Sequence, residues 1–333
     1  MALNGTEVFL EDRGLPLADE AQPRVSIIIV LFNSADYIEA CIESLRSVEY
    51  PNIELIMVDN GSQDGSARLA REAARRAGIE CFLSVLGRNR GFARANNMGF
   101  ALSTGGILLL LNPDTEVYPD TVTEIVRAFD DRSVGVCGCK IYDPDRQTIQ
   151  HAGGYVRDNG LSMHYGVGEK DEGAYEELRD VMYVTGAALA VRRDIFERAG
   201  MLDPGYYPAY FEETDLCLSV RRMGHRVVYV PGARVMHHES TTTGKFTERY
   251  YYLYHKNRIR FLLKNFSWRF LLDRALPMEQ RWTGMIAPEE QAIPLNKAYL
   301  ANIAALPRTL VARRAADRRL RAPRIEDTVS HFN

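Results

Sequence analysis

Four short apolar runs, each followed by an amphipathic stretch, constrain this chain more than any other feature of its sequence. They are Val25–Leu31, Ile53–Val58, Ile79–Leu86 and Ile107–Leu111. Runs of this length, rich in Ile, Val and Leu, read as strands buried on both faces. Between the first two, Ser34 is expected to cap a helix whose apolar face is Ile38, Cys41, Ile42 and Leu45, at i, i+3, i+4 and i+7. A second helix is expected from about Asp64 to a stop at Gly78, and a third near Ala93–Leu102. Strand and helix alternate over the first 130 residues, which predicts βαβ units around a mostly parallel sheet and an α/β fold.

The second half is less regular. Val134–Ile141 and Met182–Val191 read as strands, separated by a stretch with Gly153, Gly154, Gly160, Gly166 and Gly168 that suits a mobile loop. A helix near Asp194–Ala199 and a loop over Asp203–Tyr210 lead to a helix from about Glu212 to Met223, stopped by Gly224. Arg226–Val230 and Arg234–His237 then read as strands flanking a turn at Pro231-Gly232, and beyond Lys245 the pattern becomes helical, aromatic and basic.

With 46% hydrophobic and 26% charged residues, the 333-residue chain has a globular profile. Its longest apolar runs are far too short to cross a bilayer. Glu7, Glu11, Asp12 and Asp19 make the N-terminus acidic where an export signal is basic, so a cytoplasmic protein is expected. Five cysteines, an odd number set in apolar patterns, fit buried reduced thiols better than disulfides or a metal cluster. The net charge of −3 is unevenly spread: residues 245–333 hold 17 Lys/Arg against 8 Asp/Glu, a net +9, which leaves −12 for residues 1–244. A basic tail on an acidic body suits an anionic lipid surface or a lipid-diphosphate substrate, or simply a solvated helix bundle. The acidic body argues against a nucleic-acid partner.

Ligands of open α/β sheets bind beyond the carboxyl ends of the strands. Three such ends here carry polar clusters: Phe32-Asn33-Ser34, Asp59-Asn60-Gly61-Ser62 and Asn112-Pro113-Asp114. Neither GxxxxGK[ST] nor GxGxxG follows the first strand, so neither a P-loop nor a dinucleotide fingerprint is present. Acidic strand ends instead suit ribose or base hydrogen bonds at Asp59 and, at Asp114, a divalent cation bridging diphosphate oxygens.

The strings VSIIIVLFNSADYIEACIESL, ELIMVDNGSQDGS, GRNRGFARANNMGF and ILLLLNPDTEV occur in this order. VTGAALAVRRDIFERAGMLD, YFEETDLCLSVRRMGHRVVYVPGARVMHH and YYYLYHKNRIRFLLK follow them. Together, over about residues 24–265, they resemble the family 2 glycosyltransferases, and among these the rhamnosyltransferase-like bacterial enzymes. The resemblance implies a GT-A fold with a helical C-terminal extension, a nucleotide-diphosphate sugar donor, and Mg²⁺ or Mn²⁺. With the pattern along the chain, the expected division is an irregular lead-in (1–23), a catalytic domain with a nucleotide-binding half (24–130) and an acceptor half (131–244), and the basic extension (245–333).

The resemblance implies a donor site from Phe32, Asn33, Asp59, Asn89, Arg88 or Arg94, with Asn112 helping. Asn112-Pro113-Asp114 stands for the family's DxD element with one of its two acids, so Asp114 becomes the metal ligand, completed by His237, with His238 as runner-up. Glu212-Glu213-Thr214-Asp215 matches the family's ED-x-D element. The base is usually the aspartate in second place, which here is Glu213, with Glu212 and Asp215 close enough to contest the role. Gly186 and Ala187 would let the backbone approach the acceptor closely.

Transfer to a hydroxyl needs one carboxylate to take its proton, and separate groups to stabilise the departing diphosphate. A glycosidase would instead flank the bond with two carboxylates and need no diphosphate site. Taken with these roles, the resemblance implies inverting, metal-dependent sugar transfer, and the expected acceptor is lipid-linked or a glycolipid in bacterial surface-glycan synthesis. A soluble acceptor and a silent nucleotide-sugar-binding protein are the alternatives. In Tyr250–Phe270, aromatic residues interleave with Lys256, Arg258, Arg260, Lys264 and Arg269. Such a helix either lies on the inner face of the cell membrane or packs on the catalytic domain or on a second copy of the chain.

Overall fold

A computed structural model describes residues 22–239, 247–285, 289–322 and 324. The expected lead-in over 1–23 lies almost wholly outside the described residues, as does the boundary expected at 244/245.

The apolar runs form β1 (Val25–Leu31), β2 (Ile53–Asp59), β3 (Cys81–Val85) and β4 (Ile107–Leu111), joined by α1 (Ile38–Leu45), α2 (Ser66–Ala77) and α3 (Phe92–Leu102). After β4 come β5 (Thr115–Val117), α4 (Thr121–Ala128), β6 (Val134–Tyr142), β7 (Ile149–His151), β8 (Gly154–Val156), β9 (Ser162–His164), β10 (Arg179–Asp180) and β11 (Ala188–Arg192). Next are α5 (Arg193–Ala199), a 3₁₀ turn over Pro204–Tyr206, α6 (Glu212–Arg222) and β12 (Arg226–His237). The chain then runs through α7 (Glu248–Asn265), α8 (Trp268–Phe270), a π turn over Leu271–Ala275, α9 (Leu276–Met285) and α10 (Glu289–Leu320).

One sheet organises these elements in the order β10-β12-β6-β11-β4-β1-β2-β3, with β5 on β12 and β7 on β6. The β4-β1-β2-β3 half is parallel. β11 runs antiparallel to both β4 and β6, while β12 is parallel to β6. Side chains alternate between the faces of a strand. Ile28, Ile56, Leu108, Leu110 and Val136 therefore join one core with Phe100 of α3, Leu216 and Val220 of α6, and Phe261 of α7. Ile27, Ile29, Met57 and Leu109 join the opposite core with Ile38 and Ile42 of α1, Ala70 of α2 and Ile125 of α4. Each aliphatic side chain buried this fully contributes about 1.5–3 kcal/mol.

Several local expectations are corrected. Ser34 provides no side-chain cap: α1 starts at Ile38 without one, and the Ser34 hydroxyl accepts the Phe32 N–H at 3.2 Å. α2 starts at Ser66 because Asp64 is occupied in the turn before it, accepting the N–H groups of Ser66 (3.0 Å) and Ala35 (2.9 Å). The strand expected over Met182–Val191 is present only from Ala188, since the Met182 and Tyr183 N–H groups turn away to the Gly154 carbonyl at 3.0 and 3.2 Å. The glycine-rich stretch, expected as a loop, contains the antiparallel hairpin β8–β9, whose turn at Gly160 lies beneath Arg258 and Leu262 of α7. Pro231-Gly232 is a register slip inside one long strand rather than a turn between two.

The C-terminal helices are fastened to this body. α10 lies along α7, and Arg313 of α10 donates to the carbonyls of Leu263 and Phe266 at 2.7 and 2.6 Å. Arg258 of α7 is fully buried and pairs with Glu279 at 2.6 Å. Fit in the sheet is equally close, because a Cβ placed on Gly138 of β6 would stand 2.4 Å from Val184 Cβ. Gly138→Ala is therefore expected to destabilise the fold by about 1–3 kcal/mol through overpacking. The measurement is a lowered urea midpoint at constant m-value, and an unmoved midpoint would show that Val184 gives way freely.

Candidate active site

The candidate residues are placed by strand direction. Leu31 pairs with Asp59 and Ile29 with Leu111, so β1, β2 and β4 end together. Phe32-Asn33, Asp59-Asn60 and Asn112-Pro113-Asp114 all leave the sheet at that edge. Antiparallel β11 begins there, with Ala188 opposite Leu111, and brings Gly186-Ala187 alongside; the Asn112 N–H donates to the Ala187 carbonyl at 2.9 Å. β12 finishes at the same edge, with His237 opposite Thr115 of β5.

On the nucleotide side, Asp59 is 2% exposed, and its Oδ2 accepts the Ser62 N–H at 3.3 Å. Its Oδ1 is buried with no hydrogen-bond partner among the described residues, an acceptor fit for a ligand N–H or O–H. Asn33 adopts a φ of 51° and ties β1 to β2 through the Ser62 hydroxyl (3.0 Å) and the Gln63 N–H (2.9 Å). Phe32 is half-buried beside it. Asn89 is engaged in holding its own loop, since its Oδ1 accepts from the Gly91 N–H (2.8 Å) and from Asn60 Nδ2 (3.2 Å). Asn60 Oδ1 in turn accepts the Arg90 N–H at 2.7 Å. Gly61 (φ 87°) makes this possible, because a Cβ there would stand 2.7 Å from the Arg88 backbone. The loop so held forms a cleft of about 320 Å³ with Arg88, Asn89, Arg90 and Arg94 on one side and Pro204 and Tyr207 on the other. All three arginines are exposed, and their guanidinium groups make no hydrogen bond or ion pair among the described residues, which leaves them free for phosphate oxygens.

Asp114 and His237 meet. His237 Nε2 lies 3.2 Å from Asp114 Oδ1, with both side chains nearly buried. Gln150 Nε2 donates to Asp143 Oδ1 at 3.0 Å, which turns Gln150 Oε1 toward His237 Nδ1 at 2.6 Å. His237 Nδ1 therefore carries the hydrogen. In the neutral ring Nε2 then directs a lone pair at the Asp114 carboxylate, and Nε2 has no hydrogen bond among the described residues. A nitrogen and a carboxylate oxygen so opposed suit a shared divalent cation, with the second-layer amide fixing the ring. No group of three or more His, Cys, Asp and Glu side chains converges among the described residues, so the remaining ligands would be ligand oxygens and water. The runner-up, His238, is turned to Glu116 Oε1 at 3.1 Å, and its N–H donates to the Asp114 carbonyl.

The three acids at the start of α6 occupy three environments. Asp215 is 3% exposed and accepts from Tyr206 Oη (2.9 Å), Asn265 Nδ2 (2.7 Å) and Lys264 Nζ (2.7 Å). Glu212 is equally buried, and burial together with the adjacent Glu213 carboxylate pushes it well above the ordinary glutamate range. Glu213 alone remains partly open. Burial raises it to about 7, opposed by backbone N–H groups of the helix start. A Cβ on Gly186 would lie 3.9 Å from Glu213 Cβ, so the backbone expected on the acceptor side does border this acid.

Sequence reasoning missed Asn60, Arg90, Gln150 and Tyr207. Arg90 was legible as a third arginine within GRNRGFAR, whereas Gln150 and Tyr207 become functional candidates only through contacts distant in sequence.

The chain's residues 26–200 match the family model for glycosyl transferase family 2. It is 36% identical over 243 residues to protein y4gI of Sinorhizobium fredii and 30% identical over 230 residues to an O-antigen biosynthesis protein of Myxococcus xanthus. These alignments cover 68% and 66% of the chain but only 25% and 18% of those longer proteins. An N-acetylglucosaminyl-diphospho-decaprenol L-rhamnosyltransferase of Mycobacterium tuberculosis is 26% identical over 282 residues, covering 77% of this chain and 88% of that one. In fold the chain is similar to a mannosyltransferase from Pyrobaculum calidifontis in complex with GDP-Man and Mn²⁺, at TM-score 0.56 and 17% identity over 97% of this chain and 87% of that one. It is also similar to GalNAc-T7 with UDP, GalNAc and Mn²⁺, at TM-score 0.65 and 17% identity over 94% of this chain and 59% of that one. The chain has the GT-A fold and belongs to glycosyl transferase family 2.

Proposed function

We propose that the protein transfers a sugar, with inversion, from a nucleotide-diphosphate donor to a hydroxyl of a lipid-linked acceptor in surface-glycan synthesis. The observation that carries this reading is the separation of roles at one sheet edge, with a cation-type pair in Asp114 and His237 and a half-open acid in Glu213. Asp59 and Asn33 hold the nucleoside, with Phe32 beside it, and Arg88, Arg90 and Arg94 receive the diphosphate. Asp114 and His237 would hold a divalent Mg²⁺ or Mn²⁺, which when bound would supply charge stabilisation for a departing diphosphate. Glu213 takes the acceptor proton as the hydroxyl attacks the anomeric carbon. Burial and the Glu213 carboxylate disfavour a second negative charge on Glu212, and Asp215 is committed to structure. The rhamnosyltransferase and O-antigen relatives support the sugar and glycan class.

α10 supports a membrane-side acceptor. Ile293, Leu300, Ile303 and Val311 are 63–69% exposed along it, and Arg308, Arg314 and Arg318 are exposed on the same helix. No helix among the described residues is long and apolar enough to cross a membrane, so the contact would be peripheral.

Glu213→Gln is expected to lower kcat by about 10²–10⁴-fold, and wild-type turnover in this variant would remove Glu213 as the base. Because the base works ionised and Glu213 sits at about 7, kcat should fall as pH drops through that value; a flat profile across neutral pH would contradict the assignment. Chelation should abolish transfer and Mn²⁺ restore it in the wild type but poorly in Asp114→Asn, and chelator-resistant activity would exclude the cation role. The full chain should float with vesicles containing phosphatidylglycerol at low salt and be released by high salt. Absence of flotation would favour a soluble acceptor.

A further inference from the structure

We infer that α7 is part of the catalytic apparatus, with Asn257, Lys264 and Asn265 acting as positioning residues for Glu213. This inference rests on the assignment of Glu213 as base.

The chain enters α6 through a turn that side chains rarely favour. Tyr210 (φ 84°) and Phe211 (φ 75°) are consecutive non-glycine residues in the left-handed region, immediately before Glu212-Glu213. Such a turn persists only if its surroundings hold it, and a fully buried side chain does so from outside. Asn257 Nδ2 donates to the carbonyls of Tyr206 (2.5 Å), Ala209 (2.8 Å) and Tyr210 (3.1 Å), gathering three carbonyls of the turn on one amide. Its neighbour Lys256 donates to the Tyr207 carbonyl at 2.6 Å. The turn therefore fixes two things together: the Tyr207 ring in the donor cleft and the first residue of the base-bearing helix.

One and two helical turns further along α7, the same face continues. Arg260 (3.0 Å) and Lys264 (2.7 Å) reach Asp203, whose other oxygen accepts the Gly205 N–H at the start of the segment. Lys264 also reaches Asp215, and Asn265 joins it there. Asp215 lies two residues beyond Glu213 in the first turn of α6, so this clamp sets the rotation and depth of that turn. Lys264 is the cation nearest a nearly buried carboxylate; without it, that charge stands uncompensated beside two other acids. Asn302 and Arg313 of α10 brace α7 from behind, donating to the carbonyls of Lys256 (2.9 Å) and Leu263 (2.7 Å).

The face of α7 turned toward the site packs Phe261 and Tyr254 on Phe211 and adds polar side chains whose hydrogen bonds end on the turn before the base and on the acid after it, which packing alone does not require. A misplacement of this kind costs rate rather than donor affinity.

The test uses the full-length chain with Mn²⁺ and the nucleotide sugar, among UDP-, GDP- and dTDP-sugars, that most raises its melting temperature. Assays run below the melting transition of every variant. Lys264→Met and Asn265→Ala should lower kcat about tenfold or more while donor KM stays within about threefold. Lys264→Arg should recover most of the loss. Asn257→Ala, which releases the turn bearing Tyr207, should lower kcat and raise donor KM together. Folded variants with kcat within about twofold of wild type would reduce α7 to packing and overturn the inference. If Lys264→Met does not fold, Asn265→Ala decides, since it removes no charge. Glu213→Gln is run beside them: retained turnover there refutes the base, whereas its loss together with intact Lys264→Met and Asn265→Ala refutes only the positioning role.

Discussion

Parallel pairing of β1 with both β2 and β4 is the constraint from which the rest of the site follows. Parallel strands cannot be joined by tight turns, so each must be followed by a helix that returns the chain to the starting edge. All three strands then stop at the edge opposite, and their exits fall side by side, Leu31 against Asp59 and Ile29 against Leu111. β11, inserted against this direction between β4 and β6, enters at the edge where these strands leave. A sheet of wholly parallel strands would keep Gly186 at the far end, away from Glu213.

Electrostatics at the start of α6 shows how one turn of helix can hold three acids without three equal charges. The helix start favours negative charge, but burial opposes it, and the balance differs at each position. Asp215 is given a cation and two neutral donors. Glu212 is given burial and a like-charged neighbour, which both favour its protonated form. Glu213 lies between these extremes, partly open and near neutrality. The arrangement leaves one proton acceptor of intermediate strength in a row where composition alone suggests three.

The strands were legible because strands buried on both faces read as nearly continuous apolar runs, and the exits of β1, β2 and β4 were legible because polar clusters followed them. α6 was legible too, from the spacing of Leu216, Val220 and Met223 and the glycine after them. The misread features share one physical origin, in that a local signal was overridden by a distant partner or a competing neighbour. Ser34 resembles a cap, yet its hydroxyl serves Phe32. Met182–Ala187 has strand composition, but the Gly154 carbonyl draws its first N–H groups away. The difference between Glu213 and Asp215 could not be read locally, because the groups that occupy Asp215 lie about 50 residues downstream. Gln150 was invisible for the same reason, being 87 residues from the imidazole it orients.

The grip of α7 on the turn before Glu213 also bears on how the protein comes into being. A chain emerging from the ribosome completes its parallel sheet and strand-end clusters first, since these lie within the first 114 residues. Glu213 follows about a hundred residues later, and the side chains of α7 that fasten the start of its helix emerge only from residue 257 onward. Gln150, Tyr207 and His237 also lie beyond the first 114 residues, so the site is brought together only as the last helices dock.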